Sequence, residues 1–421
     1  MNEELNSLLR QKTWVLIDPP EGRKIIKNKW VFKCKADGRL KSRLVARGFT
    51  QIQGIDYDET WSPVGRKSSL KLFLIYALQN SWSMKQMDVD TAFLNLDLKE
   101  ELFMEQPIGF HDGTKRVCKL LKSVYGLKQS SREWYNTLKK FLESQNLRRS
   151  RIDPCIYFSP GLAVFVYVDD IIIAANSSEQ VERLSDQFKK RFKMKDMGQP
   201  SRILGLDIVE TRSGTHLSCR GMIEDLLKKF GLENSRFVST TMDHNQSFFP
   251  NEFGKANTED QQTFMSIIGS LLYISNTLRP DISYAVSTLS QFTNNPSEDH
   301  LRAVKRILRY LNGTKEFGIL LKPGQSSDLK LCGYTDADFA SCFSRKSRSG
   351  FMFFIGESLV SWSSKKQNVV ALSTCEAEYY ALTEGGKEAI HLNRLVWEFN
   401  NQQPILDDTD LKSVTLYFDS Q

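Results

Sequence analysis

The chain has 421 residues, 40% of them hydrophobic and 25% charged, a composition that excludes an intrinsically disordered protein. Lys and Arg outnumber Asp and Glu by 57 to 50, and this mild positive excess permits nucleic-acid binding without requiring it. Seven scattered cysteines without a C-x-x-C pair argue against a disulfide framework or structural zinc site and indicate a reducing compartment. No signal-peptide pattern or apolar run of about 18 residues is present, so we expect an intracellular protein without a membrane partner.

The first half of the sequence predicts mixed helices and strands. Residues 29–49 predict two strands around the turn "ADG", with Lys or Arg at nearly every second or third position. Residues 84–98 predict a strand that leaves into a loop or a short helix. Helices are predicted at 1–12, 68–82, 129–145 and 177–192.

The character of the sequence changes from about residue 236. Residues 237–262 are polar and aperiodic, which predicts a linker or an extended loop. Helices are predicted at 263–278, 297–311 and 373–400. Strands are predicted at 316–322, 329–340 and 413–421, and a hairpin at 349–366.

The stretch "VFVYVDDIIIAA" places adjacent acids, Asp169 and Asp170, between two apolar strands. Burying unpaired carboxylates costs free energy, and two neighbouring ones repel each other. One interpretation is turn chemistry, because Asp is a favoured turn residue. The other is that a divalent cation such as Mg²⁺ neutralises the pair, which requires a third acid and a phosphate-bearing substrate. Asp88 in "QMDVDTAFLN", at the end of a short strand-like segment, is a candidate for the third acid.

Several segments, in this order, closely resemble the reverse transcriptases of copia-type LTR retrotransposons. They include "KSRLVARGFTQIQGIDYDETWSPV", "QMDVDTAFLNLDL", "VYGLKQSSREWY", "FVYVDDIII" and "VSWSSKKQNVVALSTCEAEYYAL". The resemblance implies an α+β protein with a fingers–palm–thumb polymerase fold and a YVDD hairpin in the palm sheet, followed by an incomplete RNase H-like α/β domain. It divides the chain into fingers and palm at 1–235, a mostly helical thumb or connection at 236–328, and a C-terminally truncated RNase H-like domain at 329–421.

The resemblance implies an RNA-directed DNA polymerase that adds dNTPs to a primer 3′-hydroxyl by two-metal chemistry, with a vestigial or incomplete RNase H. The expected cofactor is Mg²⁺, with Mn²⁺ as a substitute. The expected partners are an RNA or DNA template–primer, dNTPs and other Pol or Gag segments, in a cytoplasmic particle or the nucleus. Two alternatives stay open: a catalytically inactive nucleic-acid-binding remnant and, more weakly, another palm-type nucleotidyl transferase.

The resemblance assigns catalysis and metal binding to three acids, Asp88, Asp169 and Asp170, with the first two carrying most of the metal binding. Phe93 resembles the aromatic residue that packs under the nucleotide sugar, and its alternative is a core aromatic. Gln129 resembles the glutamine near the incoming nucleotide and template, and its alternative is a polar residue at a helix start.

Three basic residues, Lys41, Arg43 and Arg47, resemble those of the fingers strand that meets the triphosphate, since Arg and Lys are the usual phosphate ligands. The alternative is a solvated strand face. The predicted helix at 297–311 is basic, and it could track the template–primer backbone or present a solvated face. Its basic residues are Arg302, Lys305, Arg306 and Arg309.

The resemblance also assigns a second catalytic and metal-binding set to Asp336, Glu378 and Asp419 of the RNase H-like region. Two residues depart from the family pattern near the first site. Leu96 stands where glycine is usual, which would strain a backbone with positive φ. Asp90 stands where a basic residue is usual, which adds negative charge beside the acids.

Overall fold

A computed structural model describes residues 1–34, 38, 40–90, 92–243, 246–252, 254–324, 328–409 and 411–418. Its helices are α1 (Asn2–Arg10), α2 (Lys67–Gln79), α3 (Ser130–Ser144), α4 (Ser178–Arg191), α5 (Arg220–Lys229), α6 (Thr258–Ser275), α7 (Ser283–Leu289), α8 (Glu298–Gly313) and α9 (Thr374–Asn401). Four helices follow a polar side chain that accepts a hydrogen bond from the N–H three residues later, at Ser177, Asn257, Ser297 and Ser373. These caps satisfy N–H groups that lack a partner inside the helix.

The central sheet is antiparallel and contains six strands. In spatial order they are β12 (Met194–Gly198), β5 (Ser83–Val89), β11 (Asp170–Ala175), β10 (Leu162–Tyr167), β9 (Ile156–Ser159) and β8 (Arg148–Arg149). Strands β10 and β11 form the hairpin that the apolar run predicts, with a two-residue turn at 168–169. Residues 84–98 contain the predicted strand and the short helix that follows it, because β5 ends at Val89 and a single turn of 3₁₀ helix spans Ala92–Asn95.

Side chains of the β10–β11 hairpin alternate between two hydrophobic clusters. Phe165 and Ile172 pack on the side of α2, whereas Val164 and Ile171 pack on the side of α3 and α4. Both faces of the hairpin are therefore buried, which explains why its sequence is continuously apolar instead of alternating. Only the turn, where the two acids lie, leaves this apolar environment.

Two β-structures lie before and beside the central sheet. One is a four-stranded sheet in the order β1 (Trp14–Ile17), β7 (Val117–Lys122), β6 (Asp97–Met104) and β2 (Ile25–Ile26). The other is a ribbon of β3 (Asn28–Cys34) and β4 (Leu40–Ala46), the two strands predicted at 29–49. The ends of these two strands are described, while residues 35–37 and 39 of the intervening "ADG" turn region lie outside the described part.

Two further four-stranded sheets follow. The third sheet is β13 (Arg202–Ile203), β14 (Leu206–Thr211), β15 (Gly214–Ser218) and β16 (Gly318–Leu321). The last is β19 (Ser358–Lys366), β18 (Arg348–Ile355), β17 (Leu331–Asp338) and β20 (Thr415–Phe418), where β20 joins β17 in parallel. Because β15 pairs with β16, the sequence segments 1–235 and 236–328 share a sheet.

A single hydrophobic cluster connects the central sheet with the C-terminal part of the chain. It includes Phe73 of α2, Phe165 of β10, Ile268 of α6, Phe353 of β18 and Phe399 of α9. The Phe73 ring lies 6.4 Å from the Phe399 ring, centroid to centroid. Helix α9 and the last sheet thus share a hydrophobic core with the central sheet.

A buried carboxylate reinforces the contact between α9 and the central sheet. Glu398 is 0% exposed and accepts hydrogen bonds from the Ser150 hydroxyl and from the backbone N–H groups of Arg151 and Ile405, the latter two at 3.0 Å. A buried charge is tolerated only when hydrogen bonds of this kind satisfy it.

The basic residues of α8 mostly contact the protein itself. Arg306 forms an ion pair with Asp243 at 2.8 Å, and Arg309 donates to the carbonyl of Arg236 at 2.7 Å. Arg302 pairs with acids of its own first turn. Arg306 and Arg309 therefore hold the polar segment after residue 235 against α8, which leaves fewer charges for nucleic acid than the sequence suggested.

Helix α8 begins with a histidine-containing capping box. His300 Nδ1 accepts a hydrogen bond from the Ser297 N–H at 2.9 Å, and the ring stacks on Phe292. Burial lowers the pKa of His300, so the fold favours the neutral ring. The resulting stability is complete above the unfolded pKa of about 6.5 and is lost as pH falls toward the folded pKa.

We expect His300→Gln to remove this pH dependence, because Gln is a normal capping-box residue that does not titrate. Between pH 7.5 and pH 5, the wild type should lose about 1 kcal/mol more unfolding free energy than the variant. Urea unfolding at both pH values measures the difference. Equal losses in the two proteins would contradict the role assigned to the ring.

In the described part of the chain, no helix combines the length and the apolar character that crossing a bilayer requires.

Candidate active site

The backbone brings three acids to one end of the central sheet. Asp88 in β5 lies directly opposite Asp170, the first residue of β11. Asp169 occupies the adjoining turn, and its carbonyl accepts a hydrogen bond from the Val89 N–H at 2.9 Å. The cross-strand register thus places the sequence-predicted third acid beside the pair.

The turn that carries Asp169 is held in a strained conformation. Val168 has a φ of +53°, which is unfavourable for a β-branched residue. Its carbonyl accepts a hydrogen bond of 2.7 Å from the indole N–H of Trp134, which is 2% exposed. Strain of this kind persists only where the surroundings fix it, and here Trp134 does so.

The electrostatics of the turn disfavour a charged Asp169 in the absence of a cation. The pKa of Asp169 is raised to about 6, first by burial and then by the negative charges of Asp88 and Asp170, while the positive charges of Arg43 and Lys41 oppose the increase. Its Oδ1 is buried and finds no hydrogen-bond donor among the described residues.

Asp170 has a more satisfied environment than Asp169. Burial raises the pKa of Asp170, and a hydrogen bond of 3.1 Å from the Gln86 amide works against that increase. The same amide donates to the carbonyl of Arg202 at 2.9 Å, so Gln86 fixes the position of this carboxylate. Asp169 therefore has the oxygen that is open to a ligand.

The donor set fits a divalent cation. Carboxylate oxygens suit Mg²⁺ and Mn²⁺, and a cation would offset the burial and the repulsion that raise the pKa of Asp169. Within the described residues, no three His, Cys, Asp or Glu side chains are already gathered closely enough to enclose an ion. A bound cation would therefore draw the carboxylates of Asp88 and Asp169 together.

The ribbon of β3 and β4 brings two of the three predicted basic side chains near the acids. Lys41 and Arg43 are two residues apart on β4, so their side chains project to the same side, and both lower the pKa of Asp169. Arg47 follows the end of β4, and its buried Nε has no acceptor among the described residues. Arg43 and Lys41 are the better placed to meet an anionic substrate.

An aromatic pair links this ribbon to the acids. The Phe93 and Tyr125 rings meet edge to face with centroids 5.0 Å apart, and the Arg43 guanidinium lies 5.0 Å from the centre of the Tyr125 ring. Burial raises the pKa of Tyr125, and Asp169 raises it further. The sequence analysis did not select Tyr125, although it is the second residue of the quoted motif "VYGLKQ".

Gln129 is engaged by the protein. It is 2% exposed, its carbonyl accepts from the Gln51 amide, and its own amide donates to the carbonyl of Asp56 and to the Glu100 carboxylate. These hydrogen bonds lie at the start of α3, as expected for the alternative of a polar residue at a helix start. Contact between Gln129 and a nucleotide stays a prediction.

Comparison with known proteins gives the family. Residues 11–244 match the family described as "Reverse transcriptase (RNA-dependent DNA polymerase)". The chain belongs to the reverse transcriptase family. It is 41% identical over 440 residues to the retrovirus-related Pol polyprotein from transposon TNT 1-94 of Nicotiana tabacum, covering 100% of this chain and 32% of that polyprotein. It is 39% identical over 401 residues to the one from transposon RE1 of Arabidopsis thaliana, covering 92% and 27%.

These relatives confirm the retrotransposon Pol resemblance drawn from the motifs. The chain spans about a third or less of their length. Among solved structures, a foamy viral protease-reverse transcriptase in complex with an RNA/DNA hybrid is similar, with a TM-score of 0.53 and 14% identity. The match covers 99% of this chain and 52% of that one, and it confirms a reverse transcriptase fold.

The two departures from the family pattern are accommodated locally. Leu96 is 3% exposed and packs in the cluster that contains Met87 and Val89. Asp90 forms an ion pair with Lys195, with 2.5 Å between Oδ1 and Nζ. The additional negative charge near the acids is thus balanced by a lysine of β12.

Two glycines allow the end of β4 to approach the "YGLKQ" loop of this reverse transcriptase chain. The Ala46 N–H donates to the carbonyl of Tyr125 at 2.8 Å. Gly126 has a φ of +92°, and a Cβ there would lie 2.1 Å from the Ala46 oxygen. A Cβ on Gly48 would lie 2.0 Å from the Gly126 oxygen. The positions of Arg43 and Tyr125 therefore depend on this close backbone contact.

We expect Gly126→Ala to cost about 3 kcal/mol or more of unfolding free energy, since positive φ costs about 1–2 kcal/mol and the clash adds to it. Gly109→Ala is the matched control, because Gly109 has a φ of +84° and nothing lies within 4 Å of its Cβ position. Denaturant unfolding of both variants separates strain from clash. If both lost the same stability, the close contact would be without consequence.

The second predicted set of acids is only partly described. Asp336 is exposed on β17. The residue that follows it on this strand, Ala337, donates its N–H to the carboxylate of Glu378 on α9 at 3.1 Å. Glu376, the acid two residues before Glu378, accepts a hydrogen bond from the Leu372 N–H at the start of α9 and not from β17. Asp419 lies outside the described residues. Asp336 and Glu378 are thus brought to neighbouring positions, and their roles stay a prediction.

Proposed function

We propose that this chain is an RNA-directed DNA polymerase that adds dNTPs to a primer 3′-hydroxyl. The observation that carries the proposal is the carboxylate of Asp169. It has an unsatisfied buried oxygen and a raised pKa, and it is near enough to the negative charges of Asp88 and Asp170 and to the positive charges of Arg43 and Lys41 for both sets to act on it. Opposite charges around one open point suit a substrate that carries both phosphate and metal.

Asp88 and Asp169 would hold Mg²⁺, or Mn²⁺ as a substitute, with Asp170 supporting them. When bound, the cations supply activation of the primer hydroxyl and stabilisation of charge on the leaving pyrophosphate. Arg43 and Lys41 would bind the triphosphate. The Phe93 ring, fixed edge to face by Tyr125, would pack under the nucleotide sugar.

The proposed nucleic-acid partner is an RNA or DNA template–primer. The structural neighbour described above was solved with an RNA/DNA hybrid, and the chain carries a net charge of +7. We assign fingers and palm to 1–235, a thumb or connection to 236–328 and an RNase H-like region to 329–421. The alternative function is a nucleic-acid-binding remnant without catalysis.

Extension of oligo(dT) on poly(rA) with dTTP and Mg²⁺ tests the proposal. We expect template-dependent extension that stops when EDTA is added. Binding of template–primer at low salt is measured in parallel. Binding without extension would support the inactive remnant, and extension without a template would support another nucleotidyl transferase.

A further inference from the structure

A cavity of about 480 Å³ lies beside the β10–β11 hairpin. It is formed where the first turns of α2, the end of β10 and the C-terminus of α6 meet β19 and α9. Among its lining residues are Lys67, Lys71, Tyr167, Trp362 and Glu388. Tyr167 pairs with Asp170 across the hairpin, so the cavity adjoins the acid site without containing its carboxylates.

Two lysines one helical turn apart supply the cavity with positive charge. Lys71 is 2% exposed, and its ammonium lies 3.8 Å from the centre of the Trp362 ring, with the carbonyl of Val360 at 3.4 Å. The Lys67 ammonium lies 3.9 Å from the centre of the Tyr273 ring and donates to the Thr277 hydroxyl. Aromatic faces and neutral oxygens attract these cations, yet they do not neutralise them.

No acid in the described part of the chain forms an ion pair with either lysine. Burial lowers the pKa of both lysines, and the charge of Lys67 lowers that of Lys71 further. The Glu388 carboxylate at the cavity wall is engaged by the Ser361 hydroxyl at 2.7 Å. The first turn of α2 also has no acidic residue and no side-chain cap, so the positive end of the helix dipole adds to the positive charge at the cavity.

We propose that this cavity binds a phosphate group, whose negative charge offsets the two lysines. A phosphate oxygen can accept from both ammonium groups, and the cavity has room for it. The phosphate has two sources: free pyrophosphate or nucleotide, and the backbone of a bound nucleic acid. The inference is independent of polymerase activity, because cations bind phosphate whether or not the acids catalyse a reaction.

The proposal is tested by isothermal titration calorimetry, in which pyrophosphate is titrated into the full chain in the presence of EDTA. EDTA prevents a metal ion from bridging pyrophosphate to the acids. We expect Lys71→Met and Lys67→Gln to weaken binding at least about tenfold each, and the exposed Lys330→Gln to leave it unchanged. Lys71→Met exchanges a buried charge for an apolar side chain of similar length, so the fold should be retained. Circular dichroism shows whether Lys71→Met is folded. If it is not folded, Lys67→Gln alone provides the test.

A second background separates this cavity from the acid site. Arg43 is proposed above to bind the triphosphate, so Arg43→Gln weakens a second place where pyrophosphate could bind. In the Arg43→Gln background, Lys67→Gln and Lys71→Met should still weaken pyrophosphate binding at least about tenfold. The proposal is overturned if the wild type does not bind, or if the Lys67 and Lys71 substitutions leave binding unchanged in either background.

The salt dependence of hybrid binding distinguishes the two sources. A lost backbone contact reduces the slope of log K against log salt by about 0.7–0.9. A smaller slope for Lys67→Gln than for the wild type would assign the cavity to a backbone phosphate. An unchanged slope, together with weakened pyrophosphate binding, would assign it to a free phosphate compound.

Discussion

Asp169→Asn is expected to stabilise the protein at pH 7.5 when no divalent cation is present. The pKa of Asp169 is raised from 3.8 to about 6 in the folded state, so the fold disfavours the charged form. For an acid with a raised pKa, stability is lost as pH rises from the unfolded pKa through the folded one. The shift corresponds to at most about 3 kcal/mol, and partial solvent exposure reduces it to about 1–2 kcal/mol.

Urea unfolding in EDTA at pH 7.5 and pH 4 measures this gain, which should be present at the higher pH and nearly absent at the lower. Asp90→Asn is the matched control on the same end of the sheet. Asp90 is paired with Lys195, so the variant should gain nothing and lose a few tenths of a kcal/mol. A wild type at least as stable as Asp169→Asn at pH 7.5 would contradict the repulsion assigned to the three acids.

The largest loss of stability is expected from Arg279→Ala. Arg279 is 1% exposed and donates to the Asp281 carboxylate and to the carbonyl and hydroxyl of Thr314. It thereby joins the turn after α6 to the end of α8. The substitution removes the ion pair with Asp281, whose side chain is 31% exposed, together with both hydrogen bonds to Thr314, and it leaves a cavity where the buried side chain lay. We expect these losses together to cost about 3–5 kcal/mol.

Arg302→Ala on α8 is the control for this substitution. Arg302 also pairs with acids, but its side chain is 67% exposed, and surface pairs contribute less than about 1 kcal/mol. Denaturant unfolding of both variants therefore should show a difference of several kcal/mol. Similar small losses would mean that the Arg279 network does not hold the helices together.

Local patterns in the sequence were sufficient for many elements. The helix predicted at 68–82 is α2, Lys67–Gln79, and the one predicted at 373–400 is α9, Thr374–Asn401. Helical periodicity and capping residues lie within one segment, so they can be recognised there. The polar segment at 237–262 was predicted too long, because α6 already begins at Thr258 behind its Asn257 cap.

Long-range contacts explain what the sequence did not show. Tyr125 acquires its place in the site from Arg43 and Phe93, which lie on other elements. Lys71 would be an ordinary surface lysine on an isolated α2, but Val360 and Trp362 of the last sheet cover it. No periodicity within a segment encodes partners that only the folded chain brings together.

The most direct test of the central claim is single-turnover extension of oligo(dT) on poly(rA) with dTTP and Mg²⁺. Wild type, Asp169→Asn and Asp90→Asn are compared at saturating template–primer, so that differences in binding do not enter. If the acids of the hairpin turn serve a cation, Asp169→Asn should be slower by on the order of 10³-fold, equivalent to several kcal/mol of lost charge stabilisation. Asp90→Asn should stay near the wild-type rate. Equal rates for the wild type and Asp169→Asn, or no extension by the wild type, would contradict the account.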